Sequence, residues 1–286
     1  LQVLKAIEDR ELEPSEEHIS LLSEFLNCPP EVLIPESTSV VPQSTHVTSA
    51  RLLKEEEIQG VAIDRDLVII GDALRVLPQL PENTFDLVFI DPPHGLMVKR
   101  KQLHRWIGTS FRLESSDFFK NFEEFDCFMT SILESCRRVM KEDATIWCMG
   151  TYHSIFRIGK IMQDLGYWLL NDLIWHKISP IPNFQKRRWT VATEILIWAA
   201  KSKESNYYFN YKIASQFSKT NLWQLDVVRG SERLRGDDGK AIHASQRPVS
   251  LLERIIACTS RPGSLVLDPL AGVGTTGVAA RRLGRR

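Results

Sequence analysis

At 286 residues the chain can bury a full α/β core and leave room for a smaller second unit. Its 43% apolar and 25% charged residues are those of a soluble globular protein, and no apolar run is long enough to span a bilayer. A net charge of zero argues against nonspecific polyanion binding over the whole surface but not against local basic patches. The five cysteines (Cys28, Cys127, Cys136, Cys148, Cys258) form no C-x-x-C pair, so a reducing, cytoplasmic setting with structural thiols is expected. No His/Cys cluster suggests a metal. No signal peptide is visible, but the chain opens at Leu1 rather than Met, so an N-terminal signal could have been cut away.

Residues 1–36 read as a small helical N-terminal segment. Ser15 can cap a helix whose first turn carries Glu16 and Glu17, and Ile19, Leu22, Phe25 and Leu26 then share one face. The pattern fits the second half of a repressor-type helix-turn-helix, and a helical linker satisfies it equally. Residues 37–60 read as a linker, rich in Ser, Thr and Pro at its start.

A strand is predicted over 65–72, ending in Gly71-Asp72. A short helix from Ala73 stops at Pro78, and a second strand runs Phe85-Asp86-Leu87-Val88-Phe89-Ile90. This strand–helix–strand order predicts a parallel sheet. The second strand ends abruptly in Asp91-Pro92-Pro93-His94. An apolar run of this kind is a strand buried on both faces. Two prolines fix φ and remove two amide donors, leaving a carboxylate and carbonyls where open α/β sheets place their chemistry. An ordinary strand stop with a capping Asp fits the tetrapeptide as well.

Lys99, Arg100, Lys101, His104, Arg105 and Trp106 follow in a long segment without period, either a loop over the site or a solvated surface loop. Helical periodicity returns from Phe118 to Cys136. Strands are then predicted over 144–149, 167–175 and 194–200, with a helix over 151–166. Between the last two strands, Phe184, Lys186, Arg187, Arg188 and Trp189 place three cations between two aromatics. That suits phosphate contact with base stacking, or simply an exposed hairpin loop. Residues 201–240 are turn-rich and variable. A helix over 248–258 leads to a buried strand ending in Asp268-Pro269, and Gly272, Gly274, Thr275, Thr276 and Gly277 then open another helix. Such a turn lets a ligand approach the backbone, and a tight structural turn has the same composition. The third glycine of a dinucleotide fingerprint is out of register.

As an ordered set, Asp91-Pro92-Pro93-His94 and Asp268-Pro269-Leu270-Ala271-Gly272-Val273-Gly274-Thr275-Thr276-Gly277 resemble the catalytic and cofactor motifs of beta-group S-adenosylmethionine-dependent amino-group DNA methyltransferases of the adenine-N6 type. Ile146 to His153, Asn171 to Trp175, Pro182-Asn183-Phe184 and His243 to Pro248 fall in the expected sequence. The resemblance covers residues 66 to 286. It implies an α/β fold with a Rossmann-like, mostly parallel sheet and helices on both faces. Residues 61–200 would be the catalytic half, 201–240 a DNA-contact region and 241–286 the cofactor half.

The implied reaction moves a methyl group from S-adenosyl-L-methionine to N6 of a flipped adenine in double-stranded DNA. Asp91 and the Pro92 carbonyl would accept the amine hydrogens, Pro93 would stiffen the turn, and the residue after it, here His94, would stack on the base. The glycine turn at Asp268, Gly272, Gly274, Thr275 and Thr276 would hold the methionine part of the cofactor, Asp72 its adenine and Arg247 its carboxylate. Lys99, Arg100 and the 184–189 loop would contact DNA. A homodimer is compatible with the sequence.

Departures are His94, a smaller ring, for Tyr, Phe or Trp, Leu270 for Phe, Arg247 for Lys and Thr193 for His. The family's sheet also has one more interior strand, which would follow Arg286. An interior strand cannot simply be missing, so the chain is expected to continue past both ends. Rival readings are N4-cytosine methylation, methylation of RNA or protein amides, and a catalytically weak DNA-binding protein.

Overall fold

The computed structural model describes residues 2–5, 51–58, 63, 66–93, 95–96, 118–184, 186–236, 239–243 and 245–286. Its strands are β1 (Gln2–Lys5), β2 (Arg51–Lys54), β3 (Leu67–Ile70), β4 (Phe85–Ile90), β5 (Gly95–Leu96), β6 (Phe118–Phe119), β7 (Met140–Gly150), β8 (Trp168–Lys177), β9 (Thr193–Ala200), β10 (Leu222–Leu225) and β11 (Val266–Asp268). The helices are α1 (Ala73–Val76), α2 (Phe122–Val139), α3 (Ile155–Asp164), α4 (Tyr211–Phe217), α5 (Val249–Thr259) and α6 (Thr275–Arg282). Nine strands form one sheet in the order β10-β8-β9-β7-β4-β11-β1-β3-β2, and β5 pairs separately with β6. Of these nine, only β9 runs antiparallel to its neighbours, β7 and β8. The expected α/β architecture with a mostly parallel sheet is therefore observed.

Alternation along the strands divides the core in two. From β4, Val88 and Ile90 face one side with α1, α2 and α3, while Leu87 and Phe89 face the other with α5 and α6. Both faces are covered, which is why the run is apolar almost throughout. Asp86 interrupts it at a register irregularity between Phe85 and Leu87. One of its oxygens takes the Lys141 ammonium at 2.7 Å and the other the Leu265 amide at 2.8 Å, so the acid ties β4 to the segments flanking it.

Three segments differ from the sequence reading. Residues 2–5, expected within a helical segment, form β1, parallel to both β11 and β3. The interior slot assigned to a strand after Arg286 is thus paired from the other end of the chain, satisfying the backbone groups of β11 and β3. Residues 6–50 lie outside the described residues, and with them the helix-turn-helix reading. Within the expected linker, β2 pairs with β3 and a 3-10 turn covers Glu55–Glu57. Within the variable region, α4 and β10 form, and β10 extends the sheet beside β8. Short elements on an edge bury too few residues to leave a readable period.

Strand β7 begins at Met140, directly after α2, rather than after the Lys141–Asp143 turn; this segment pairs irregularly with Phe85. Among the described residues, no helix is long and apolar enough to cross a membrane.

At the end of β3, Gly71 admits the 3-10 turn. A β-carbon there would sit 2.9 Å from both Glu55 Cβ and Val76 Cγ2. The Gly71→Ala variant is expected to lose about 1–3 kcal/mol in denaturant unfolding, because neither atom is the tip of a flexible side chain. An unchanged midpoint would show that Glu55 does not pack there.

Candidate active site at the carboxyl edge of the sheet

Strands β3, β4, β7, β8, β10 and β11 are aligned so that their carboxyl ends reach one edge, where antiparallel β9 begins. Six predicted site segments therefore lie along this edge: Asp72 after β3, Asp91 after β4, Asp268 ending β11, the glycine turn, the 184–189 loop between β8 and β9, and the segment before α5. Open α/β sheets bind ligands at this edge.

Asp91 follows β4 in the same alternation as Leu87 and Phe89, so its side chain turns to the α5 face. There it meets Arg247. Nε donates to Oδ2 at 2.6 Å and Nη2 to Oδ1 at 3.0 Å, a bidentate pair between groups 156 residues apart in sequence. Nη1 lies 2.8 Å from Glu194 Oε2, and Glu194 Oε1 lies 2.5 Å from the Lys177 ammonium. All four side chains are largely buried, with exposures of 14% for Asp91, 10% for Arg247, 7% for Glu194 and 16% for Lys177. Burial opposes the Arg247 charge, but Asp91 and Glu194 outweigh it and raise its pKa. The preceding residue fixes this segment: Gln246 accepts from the Leu234 amide and donates to the Glu232 carbonyl. Glu232 in turn accepts the first amide of α5.

The glycine turn is built around Asp268. Gly272 and Gly274 have φ of 54° and 79°, a region that favours glycine, and Gly274 caps α6. The buried Asp268 carboxylate accepts the Leu270 amide and the Thr276 hydroxyl, bracing the turn from beneath. Thr275 and Thr276 are buried in the first turn of α6. A β-carbon on Gly272 would reach within 3.5 Å of the His243 ring, filling the space between them. Asp72 caps α1 by accepting the Leu74 amide at 2.9 Å. It stands two strand positions from Asp268, across β1, a separation of about 10 Å.

The loop carrying Phe184, Lys186, Arg187, Arg188 and Trp189 is exposed yet internally tied. Asn183 donates to the Arg188 carbonyl at 2.6 Å and takes the Lys186 amide on its own carbonyl at 3.1 Å. Arg188 donates to the Tyr152 hydroxyl at 2.6 Å, linking the loop to the end of β7. Burial, and then the Arg188 charge, lower the pKa of His153, whose ring lies against Tyr152. Phe184 is 78% and Trp189 93% exposed. Pro92 is buried and Pro93 partly so. His94, Lys99 and Arg100 lie outside the described residues.

The structure thus brings Asp91 to Arg247 and Asp268 to Thr276, while Asp72 stands apart. It also adds Lys177, Glu194, Tyr152 and Asn183 as contributing residues. A signal for two of these was present: Leu173-Trp175-Lys177 and Glu194-Leu196-Trp198 alternate so that each charge joins a buried face.

Burial pushes Asp268 up to about 7, and the Asp91 charge adds to this, against the pull of Thr276 and Leu270. The folded chain then holds a proton that the unfolded chain releases near the ordinary carboxylate range, so this group's contribution to stability falls as pH rises from about 4 to 7. Unfolding free energies of the natural chain and Asp268→Asn, compared across that window, are expected to shift steadily in favour of the variant and then level off. A constant difference would mean that Asp268 ionises normally.

The family model described as DNA methylase, of the N6/N4 methyltransferase group, matches residues 85–286. The type II methyltransferase M.HinfI of Haemophilus influenzae is 38% identical, with 76% of this chain and 62% of that protein covered. The chain therefore spans less than two thirds of that relative. Among solved structures, the cytosine-N4-specific PvuII DNA methyltransferase shares the fold at TM-score 0.58 and 22% identity, over 76% of this chain and 78% of its own. A Thermus thermophilus protein assigned as a DNA modification methylase, complexed with S-adenosyl-L-methionine, shares it at TM-score 0.54 and 20% identity, over 83% and 85%. With the family model spanning β4 through α6, both strand-end motifs included, the chain belongs to the N6/N4 DNA methylase family.

Proposed function

We propose that the chain transfers a methyl group from S-adenosyl-L-methionine to the exocyclic N6 of an adenine in double-stranded DNA. The observation that carries this reading is the Asp91 carboxylate at the end of β4, on the same sheet edge as the glycine turn of β11, with β4 and β11 adjacent. The adenine lone pair is conjugated with its ring, so the amine is a poor nucleophile. Asp91 and the Pro92 carbonyl accept its two hydrogens and draw the nitrogen toward a reactive geometry. Pro92 and Pro93, with fixed φ, hold that carbonyl still. Asp rather than Ser before the prolines favours adenine over cytosine N4, which the shared fold by itself does not separate.

The glycine turn fits the cofactor. The space beside Gly272 is one that a β-carbon would fill, and the first amides of α6 favour negative charge there. Gly272, Gly274, Thr275 and Thr276 would hold the methionine part and Asp72 the adenine. When bound, the cofactor supplies a methyl group already activated as a sulfonium. All three guanidinium nitrogens of Arg247 are engaged by Asp91 and Glu194.

Toward DNA, the tied loop offers Lys186, Arg187 and Arg188 for phosphates and Phe184 and Trp189 for stacking. The basic segment at Lys99 and Arg100 would extend this contact, and His94 would stack on the flipped base. A homodimer and a cytoplasmic setting are compatible with this reading.

Incubating the full chain with labelled cofactor and duplex DNA, then resolving the nucleosides, is expected to yield N6-methyladenine. N4-methylcytosine would overturn the assignment of the base. Asp91→Ala should lower the rate by about 10²-fold or more, and equal incorporation by both would refute the site. Separately, Trp189→Ala should weaken DNA binding by about 1–3 kcal/mol without changing cofactor affinity, as read by fluorescence anisotropy and calorimetry. Undiminished DNA binding would remove Trp189 from the interface.

A further inference from the structure

The four-membered chain Lys177–Glu194–Arg247–Asp91 reaches well beyond the motif residues. Its signs alternate, so it is neutral as a whole, and its members come from β8, β9, the segment before α5 and the end of β4. A bidentate guanidinium forces the Asp91 carboxylate into its own plane and fixes the direction of both oxygens. The clamp takes one donor on each Asp91 oxygen, so it orients the carboxylate as a whole. On the far side of Arg247, Glu194 Oε2 lies 2.8 Å from Nη1, a buried ion pair that holds the guanidinium from its other end. Glu194 is held from beyond by Lys177, and the Trp175 ring lies 5.5 Å from the Lys177 ammonium and 5.9 Å from the Arg247 guanidinium. Trp175 is itself pinned by its indole N–H to the Leu225 carbonyl at 3.0 Å, which fixes the ring beneath both cations.

We propose that Glu194 and Lys177 are positioning residues that act through Arg247 to aim the Asp91 carboxylate at the target amine. The inference rests on the methyl-transfer reading above. It makes Arg247 a partner of the base-accepting side of the site, rather than a group committed to the cofactor.

The test measures kcat, KM for DNA and calorimetric cofactor affinity, with thermal unfolding alongside, on the full chain. Glu194→Gln keeps the shape and removes the charge. Its kcat should fall by about 10²-fold, the scale of a small misplacement of a reacting group, while cofactor affinity stays within about twofold. In an Arg247→Lys background, which cannot form the bidentate pair, the same Glu194→Gln change should cost less than about twofold more, because the two act in series. Lys177→Arg should retain kcat within about threefold and Lys177→Met should not; this pair keeps the test alive if Glu194→Gln fails to fold.

Full-speed Glu194→Gln beside an active natural chain would overturn the relay and leave the methyl-transfer reading standing. Additive losses, or cofactor affinity weakened tenfold with kcat unchanged at saturation, would also overturn it. A natural chain that transfers no methyl group would sink the functional reading, and the relay with it.

Discussion

Strand β4 has hydrogen-bonded neighbours on both sides and helices over both faces. No polar group on it can reach water sideways, so polar chemistry is confined to the points where pairing breaks. There are two such points. Asp86 sits at the register irregularity and has both oxygens occupied by Lys141 and Leu265. Asp91 sits where the prolines end the strand. The same confinement holds for β11, whose only acid, Asp268, closes the strand and braces the glycine turn. Placement of the site follows from burial of the sheet, because an open α/β layer has chemistry available only at its carboxyl edge.

Charge buried at that edge has to be compensated locally. Removing one partner from a buried pair typically costs about 3–5 kcal/mol, because the other is left uncompensated. Lys177, Glu194, Arg247 and Asp91 meet this constraint as a string of alternating sign. Asp268 meets it differently. Braced by a hydroxyl and an amide rather than by a guanidinium, it holds its proton up to about 7. Two carboxylates on neighbouring strands thus have different electrostatic environments, one clamped by a guanidinium and one kept close to neutral.

Local features of the sequence were legible. The apolar run of β4, the two prolines, and the glycines with positive φ each carry their conformation in their own residues. Non-local features were not. Nothing near Arg247 announces a partner 156 residues earlier, and without that contact the side chain reads as a surface charge or a ligand for an anion. Alternation puts Glu194 and Lys177 on a buried face but does not name their partners, which depend on β8 and β9 lying side by side with Trp175 opposite Glu194. Strand β1 was missed because four residues are too few to establish a period, and their pairing with β11 and β3 is purely tertiary.

The loop between β8 and β9 extends the same logic to the surface. Ile178, Ile181, Phe184 and Trp189 are all exposed within a dozen residues, a concentration of apolar surface that fits the DNA contact proposed for this loop. Rigidity distinguishes it from a floppy tether. Asn183 closes the loop on Arg188, and Arg188 fastens it to Tyr152 at the end of β7. Entropy of ordering is thereby spent on folding rather than on binding. The loop leaves β8 at Lys177 and returns into β9 at Thr193, one residue before Glu194. Its two stems therefore carry the first two members of the buried ion string, Lys177 and Glu194. The loop and the orientation of Asp91 share those stems, so under the proposed function a contact made by the loop would reach the Asp91 carboxylate through two ion pairs.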